Sequence, residues 1–168
     1  MQQLLEKTAL PETDGSALPR FRVCFVCTGN TCRSPMAEAV FNALAKEFPG
    51  KIPMEAFSAG LYAKEGDPIA KNAVLALSDA GIVEVHPYRL HLAHTITEDE
   101  AKEYDRLVGI SRAHATELYL RFPGLAQKIV CLPADIADPY GGDLATYKAC
   151  LAKLKEQICR LFFPEAPL

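Results

Sequence analysis

The stretch that most constrains this chain is residues 21–41, where FRVCFV runs into CTGNTCR and then into SPMAEAVF. The first run is short, β-branched and aromatic, and uncharged after Arg22, which reads as a strand buried on both faces. Beyond the loop the apolar spacing changes: Met36, Val40, Leu44 and Phe48 recur at four-residue steps until Pro49 and Gly50 stop the run. Ser34 and Pro35 supply N-cap and first-turn signals for that helix. A strand feeding a helix through one tight loop predicts a parallel sheet with crossover helices.

The rest of the chain keeps the alternation. Residues 52–58 read as a second strand closed by Ala59 and Gly60, and 68–80 as a helix ended by Gly81. Thr97 and Glu100 form a capping box opening a helix through Tyr104. Residues 106–110 read as a third strand, 112–122 as a helix and 128–132 as a fourth strand. A last helix over about 143–162 carries Leu144, Tyr147, Leu151, Leu154, Ile158 and Leu161 at three- and four-residue steps, a core-facing stripe too short for a coiled coil. The expected fold is α/β, a single three-layer domain with a four-stranded parallel sheet, helices on both faces and right-handed crossovers. At 168 residues the chain suits one domain, with no internal repeat or linker. Residues 1–20, with two prolines and a mixed polar run, are expected to form a poorly ordered extension to a domain over 21–168.

Charge and targeting signals narrow the partners. A net charge of −3 with scattered Lys and Arg offers no basic field for nucleic acid. No stretch is apolar enough to span a membrane, and Glu6, Glu12 and Asp14 break up any leader-like run. The expectation is a cytoplasmic monomer whose six cysteines stay reduced, each either buried or chemically active.

Residues 27–34 concentrate the chemistry. A loop between a strand and a helix at the carboxyl edge of a parallel sheet can turn its backbone N–H groups onto an anion. Gly29 permits a tight turn, Asn30 tolerates a left-handed backbone, and the Arg33 fork matches two phosphate oxygens. A Cys27 sulfur facing those groups is stabilised as thiolate, the attacking species. The lysine-containing nucleotide loop is absent.

These residues resemble the low-molecular-weight protein tyrosine phosphatases. CTGNTCRSP after a first strand carries the resemblance, with Ser58-Ala59-Gly60, His86 and Asp138-Pro139-Tyr140, over about residues 21–162. The resemblance implies Cys27 as nucleophile, Arg33 as phosphate clamp and Asp138 as general acid. Thr28, Gly29, Asn30, Thr31 and Cys32 complete the phosphate loop. Ser34 is implied as the hydroxyl that steadies the thiolate, and Ser58 and His86, with Asn30, as the polar network bracing the loop. Tyr140 is implied as the substrate wall. No metal and no cofactor are expected, and the partners are phosphorylated proteins. Residues 87–96 depart from the family's spacing. Thr31, where many tyrosine-directed members carry a larger aliphatic residue, and Gly141-Gly142, in place of a second aromatic, resemble the protein-arginine phosphatase branch.

Other readings compete. Thiol-coupled arsenate reduction on this scaffold needs further cysteines near residues 86–105, and that segment has none. A phosphate-binding module without catalysis fits a chain lacking Cys27, Arg33 or Asp138, and all three are present. Cys24 and Cys27 have a redox-like spacing, but Cys24 falls inside the strand and reads as core, as do Cys131, Cys150 and Cys159. Cys32 is placed to form a protective disulfide with Cys27. His91 and His94 read as surface histidines of a connecting loop.

Overall fold

A computed structural model describes residues 19–167 of the chain. All but two residues of the expected extension, together with Leu168, lie outside them. Four strands form one parallel sheet in the order β2-β1-β3-β4, where β1 is Phe21–Cys27, β2 Met54–Gly60, β3 Arg106–Gly109 and β4 Ile129–Cys131. Five α-helices connect or follow them: α1 Arg33–Glu47, α2 Lys71–Asp79, α3 Glu98–Lys102, α4 Arg112–Arg121 and α5 Leu144–Phe162. Among the described residues no helix is long and apolar enough to cross a membrane.

The alternation of side chains along β1 explains the three layers. Val23 and Phe25 point into a core shared with α1, α2 and α5, through Met36, Val40, Phe41, Ala73, Leu77, Leu151, Leu154 and Ile158. Cys24 and Val26 point the other way, toward Ala101 of α3 and Ala115 and Leu118 of α4. Burial on both sides is why the strand reads as a continuous apolar run. Phe41 packs edge-on against Phe162 and Phe163 at 5.2 and 5.1 Å, which ties the end of α5 to α1.

Several boundaries moved for local reasons. Strand β2 starts two residues late, because Pro53 offers only its carbonyl, to Phe21 N. It runs on to Gly60, paired with Cys27. Helix α2 begins at Lys71, with Pro68 drawn into an isolated bridge with Leu92. At α1 the expected N-cap is a correction: the helix starts at Arg33, and Cys32 occupies the cap position with no side-chain cap bond. The Ser34 hydroxyl is turned back onto the loop and is unavailable for capping. Thr97 does cap α3, accepting from Glu100 N at 3.2 Å, but the Glu100 carboxylate leaves the box to bond His94 and Tyr104. Two short 3₁₀ turns, Tyr88–Leu90 and Pro123–Lys128, are too brief to carry a periodic signal.

Candidate active site

The carboxyl ends of the strands lie side by side, Cys27 paired with Gly60 and Val26 with Gly109. The loop after β1 folds over this edge. Its tight seat depends on Gly60, where an added Cβ would come within 2.8 Å of Thr28 O and 3.2 Å of Asn30 Cβ. That is the physical reason for the glycine in Ser58-Ala59-Gly60.

Asn30 is the hub of the loop. Its backbone is left-handed, with φ 55°, and it is fully buried. Its Nδ2 donates to Ser34 Oγ at 3.0 Å and Ser58 Oγ at 3.2 Å, its Oδ1 accepts from His94 N at 3.1 Å, and its carbonyl bonds His91 Nε2 at 2.8 Å. Four polar partners hold a conformation that a non-glycine residue resists. The result is aimed at Cys27, whose Sγ accepts from Asn30 N at 3.4 Å and lies 3.0 Å from Ser34 Oγ. Ser34 Oγ also lies 3.3 Å from Ala59 O. The Cys27 sulfur therefore sits at the floor of the site beside one backbone donor, Asn30 N, and one hydroxyl, Ser34 Oγ.

The bracing continues away from the loop. Ser58 Oγ donates to Glu38 Oε2 at 2.6 Å, and Glu38 Oε1 lies 3.1 Å from His86 Nδ1. His86 Nε2 is 3.0 Å from Glu55. The bond to Glu38, ahead of that to Glu55 and against the cost of burial, raises the His86 pKa. His86 thus reaches Asn30 only through Glu38 and Ser58. The histidine ring that reaches Asn30 is that of His91, expected from the sequence to lie at the surface. The shifted spacing of residues 87–96 hid that exchange. His94 is likewise half-buried, its pKa raised by its bond to Glu100 at 2.9 Å.

On the far side Thr28 Oγ1 bonds His114 Nε2 at 3.0 Å, and His114 Nδ1 bonds Ser111 Oγ at 2.9 Å. Burial, and behind it the Arg33 cation, push His114 down to about 4, so the imidazole is neutral near pH 7. Cys32 Sγ points to Tyr147 of α5 at 3.1 Å, and burial raises its thiol pKa. All six cysteines are free, so a bridge to Cys27 requires Cys32 to leave Tyr147. Cys24, Cys150 and Cys159 are buried as expected, whereas Cys131 is only partly so.

Arg33 closes the pocket. Its Nη2 lies 2.9 Å from Asp138 Oδ2, and Nη1 donates to Ile136 O at 3.3 Å. The guanidinium is buried and the carboxylate half exposed, side chains 9% and 52% accessible. Around this pair a cavity of about 260 Å³ is lined by residues 27–33 and by Asp138 and Tyr140. Every phosphate-loop position expected from the sequence is there, whereas Ser34, Ser58 and His86 stand behind the wall. Three further lining residues were missed: Tyr62, Lys64 and Asp67, from the segment after β2.

A model of the family described as low molecular weight phosphotyrosine protein phosphatase matches residues 22–166. The chain belongs to that family. It is 33% identical to a protein-arginine-phosphatase of Geobacillus stearothermophilus over 84% of this chain and 93% of that one. It superposes on a low molecular weight protein tyrosine phosphatase from T. tengcongensis with a TM-score of 0.76 at 38% identity, covering 84% of this chain and 97% of the other. A third relative, an arginine phosphatase solved as a cysteine-to-serine variant with a phosphorylated active-site serine, gives 0.75 at 30% identity over 84% and 93%. The fold of this phosphatase is therefore the one its relatives share. Its additional lining residues, Tyr62, Lys64 and Asp67, come from a segment with no regular secondary structure, where periodicity is silent.

Proposed function

We propose that this chain is a protein phosphatase that carries the phosphoryl group on Cys27 as a cysteinyl-phosphate, with phosphoarginine as its preferred substrate and phosphotyrosine second. The observation that carries the proposal is the gathering of the Cys27 sulfur, the Arg33 guanidinium and the Asp138 carboxyl at one cavity.

Substrate phosphate enters over the loop amides and takes the Arg33 fork, an exchange of one anionic partner for a better one. Asp138 is thereby released from its cation and turned to the leaving group. The thiolate attacks phosphorus in line. As the S–P bond forms, the bond to the leaving oxygen or nitrogen breaks, its electron pair stays with that atom, and the Asp138 carboxyl supplies the proton. The Asp138 carboxylate then takes a proton from water, whose oxygen displaces sulfur. The Ser34 hydroxyl, 3.0 Å from Sγ, stabilises the departing thiolate. Phosphate positioning is left to fixed amides and one guanidinium, which suits a transfer governed by electrostatics.

Thr31 on the pocket wall and Gly141-Gly142 after Tyr140 support phosphoarginine: a small polar lip and a bare backbone leave room for a branched, charged group. The arginine-phosphatase relatives support the same choice. The test is hydrolysis of matched phosphoarginine and phosphotyrosine peptides in EDTA, with Cys27→Ser beside the parent. The parent is expected to favour phosphoarginine and, after rapid quenching, to hold phosphate on Cys27. The variant is expected to lose on the order of 10⁴-fold in turnover. Faster tyrosine-ester turnover removes the arginine assignment, and quenched protein free of thiol-bound phosphate removes the intermediate.

A further inference from the structure

The proposed mechanism employs the deep half of the cavity and leaves its rim unexplained. There Asp67 and Lys64 face the same space as Asp138, Tyr140 and Tyr62. Asp138 is committed to the proton. Among the described residues lining the cavity, Asp67 is then the one carboxylate left to meet the part of the substrate beyond phosphorus.

The Asp67 backbone is fixed. Gly66 N donates to Ala93 O at 2.9 Å and Ala93 N to Asp67 O at 2.8 Å, and the Pro68–Leu92 bridge follows directly. Its side chain, by contrast, is lightly engaged: Lys64 Nζ lies 3.5 Å away, and the two side chains are 40% and 84% exposed. An exposed pair of this kind contributes little and exchanges partners readily. A carboxylate on a pinned backbone, with a weak partner, is pre-organised for an incoming cation.

Resting on the phosphatase reading above, we propose that Asp67 is the specificity residue that recognises the guanidinium of phosphoarginine, displacing Lys64 to do so. A planar guanidinium presents parallel N–H groups that fit a carboxylate and stacks on aromatic faces. The site already shows the second habit: the Arg121 guanidinium lies 4.3 Å from the centroid of the Tyr62 ring. A phenol leaving group offers Asp67 neither charge nor donors. In the transfer itself the P–N bond breaks as the S–P bond forms, the pair goes to nitrogen, and nitrogen takes the Asp138 proton. The guanidinium is cationic in the bound substrate and again in the released arginine. Asp67 therefore holds substrate and transition state alike, which appears in KM and not in kcat.

Steady-state kinetics on one peptide carrying either phosphoarginine or phosphotyrosine test this with Asp67→Asn and Lys64→Ala. Asp67→Asn is expected to raise KM for phosphoarginine about tenfold or more, the size of a lost hydrogen bond to a charged group, with kcat changed less than about threefold. KM for phosphotyrosine is not expected to rise. Lys64→Ala, which frees the carboxylate, is expected to move the ratio of the two KM values the opposite way. Equal rises for both peptides, or an unaltered phosphoarginine KM, overturn the Asp67 assignment while leaving the phosphatase intact. A parent enzyme that does not hydrolyse phosphoarginine overturns the substrate reading, and this inference with it.

Discussion

The two sides of the pocket are built in opposite ways. Residues 27–34 are over-determined: Asn30 alone has four polar partners besides Cys27, Ser34 and Asn30 are fully buried, and the network runs out through Ser58 and Glu38 to His86. The segment bearing Asp138 and Tyr140 is lightly held. Tyr140 is 78% exposed, and the segment closes on itself through short bonds such as Tyr140 N to Asp138 Oδ1. Only Arg33 reaches across from the loop to grip it, through Asp138 and Ile136. A site that must bind one constant group and admit varied leaving groups gains from this division. In the proposed mechanism the phosphate seat is rigid, and the side assigned to donate the proton and meet the substrate is adjustable.

Substitutions on the two sides should separate accordingly. The largest effect is expected from Asp138→Asn, which removes the proton donor and keeps the seat. Turnover of phosphopeptides should fall about 10²- to 10⁴-fold while inorganic phosphate binds at least as well, measured by product inhibition. If phosphate binding collapses too, the exposed side is part of the seat and the contrast fails. Next comes Asn30→Ala, on the rigid side, expected to cost about 2 to 3 kcal/mol in urea unfolding and at least about tenfold in kcat/KM. Asn30→Gly, which accepts the left-handed backbone but restores none of the bonds, should recover only the conformational part, about 1 kcal/mol.

The smallest effect concerns pH. His114 titrates at about 4 in the folded chain and near 6.5 when unfolded, so the unfolded chain binds the extra proton between those values. Stability present above pH ~6.5 is lost as pH falls toward 4, by about 2 kcal/mol after allowing for water at the site. His86 and His94, whose pKa values are raised by carboxylates, act in the window above 6.5 and with opposite sign, losing stability as pH rises through their folded values. Urea midpoints between pH 6.5 and 4.5 should therefore fall in the parent and fall less in His114→Gln. Parallel curves would show that His114 is not held neutral.

The same contrast explains what could be read from the chain. The rigid side is made largely of residue types that each have one plausible use, such as an asparagine in a turn and an arginine at a helix start. Burial makes strand β1 legible as an unbroken apolar run and α5 as a stripe at helical spacing. Legibility failed where a role depends on approach between distant segments. The spacing of Ser34 suits a cap, while Ala59 and Cys27, which claim its hydroxyl, come beside it only in the fold. Glu38 carries no signal of its own in the sequence, yet it links Ser58 to His86. His91 and His86 are five residues apart in irregular chain, and only the path of that chain decides which reaches Asn30. Asp67 had no pattern to declare it.

Helix α5 adds a temporal dimension. Tyr147 backs the cysteine loop at Cys32, and Cys150, one turn later, lies 3.9 Å from Ala137 O beside the Asp138 segment. One rod thus registers both halves of the pocket, and ribosomes make it after both. A nascent chain displays its cysteine loop long before that rod exists to align it with the Asp138 segment, so the two halves of the pocket come into register only when the last helix docks.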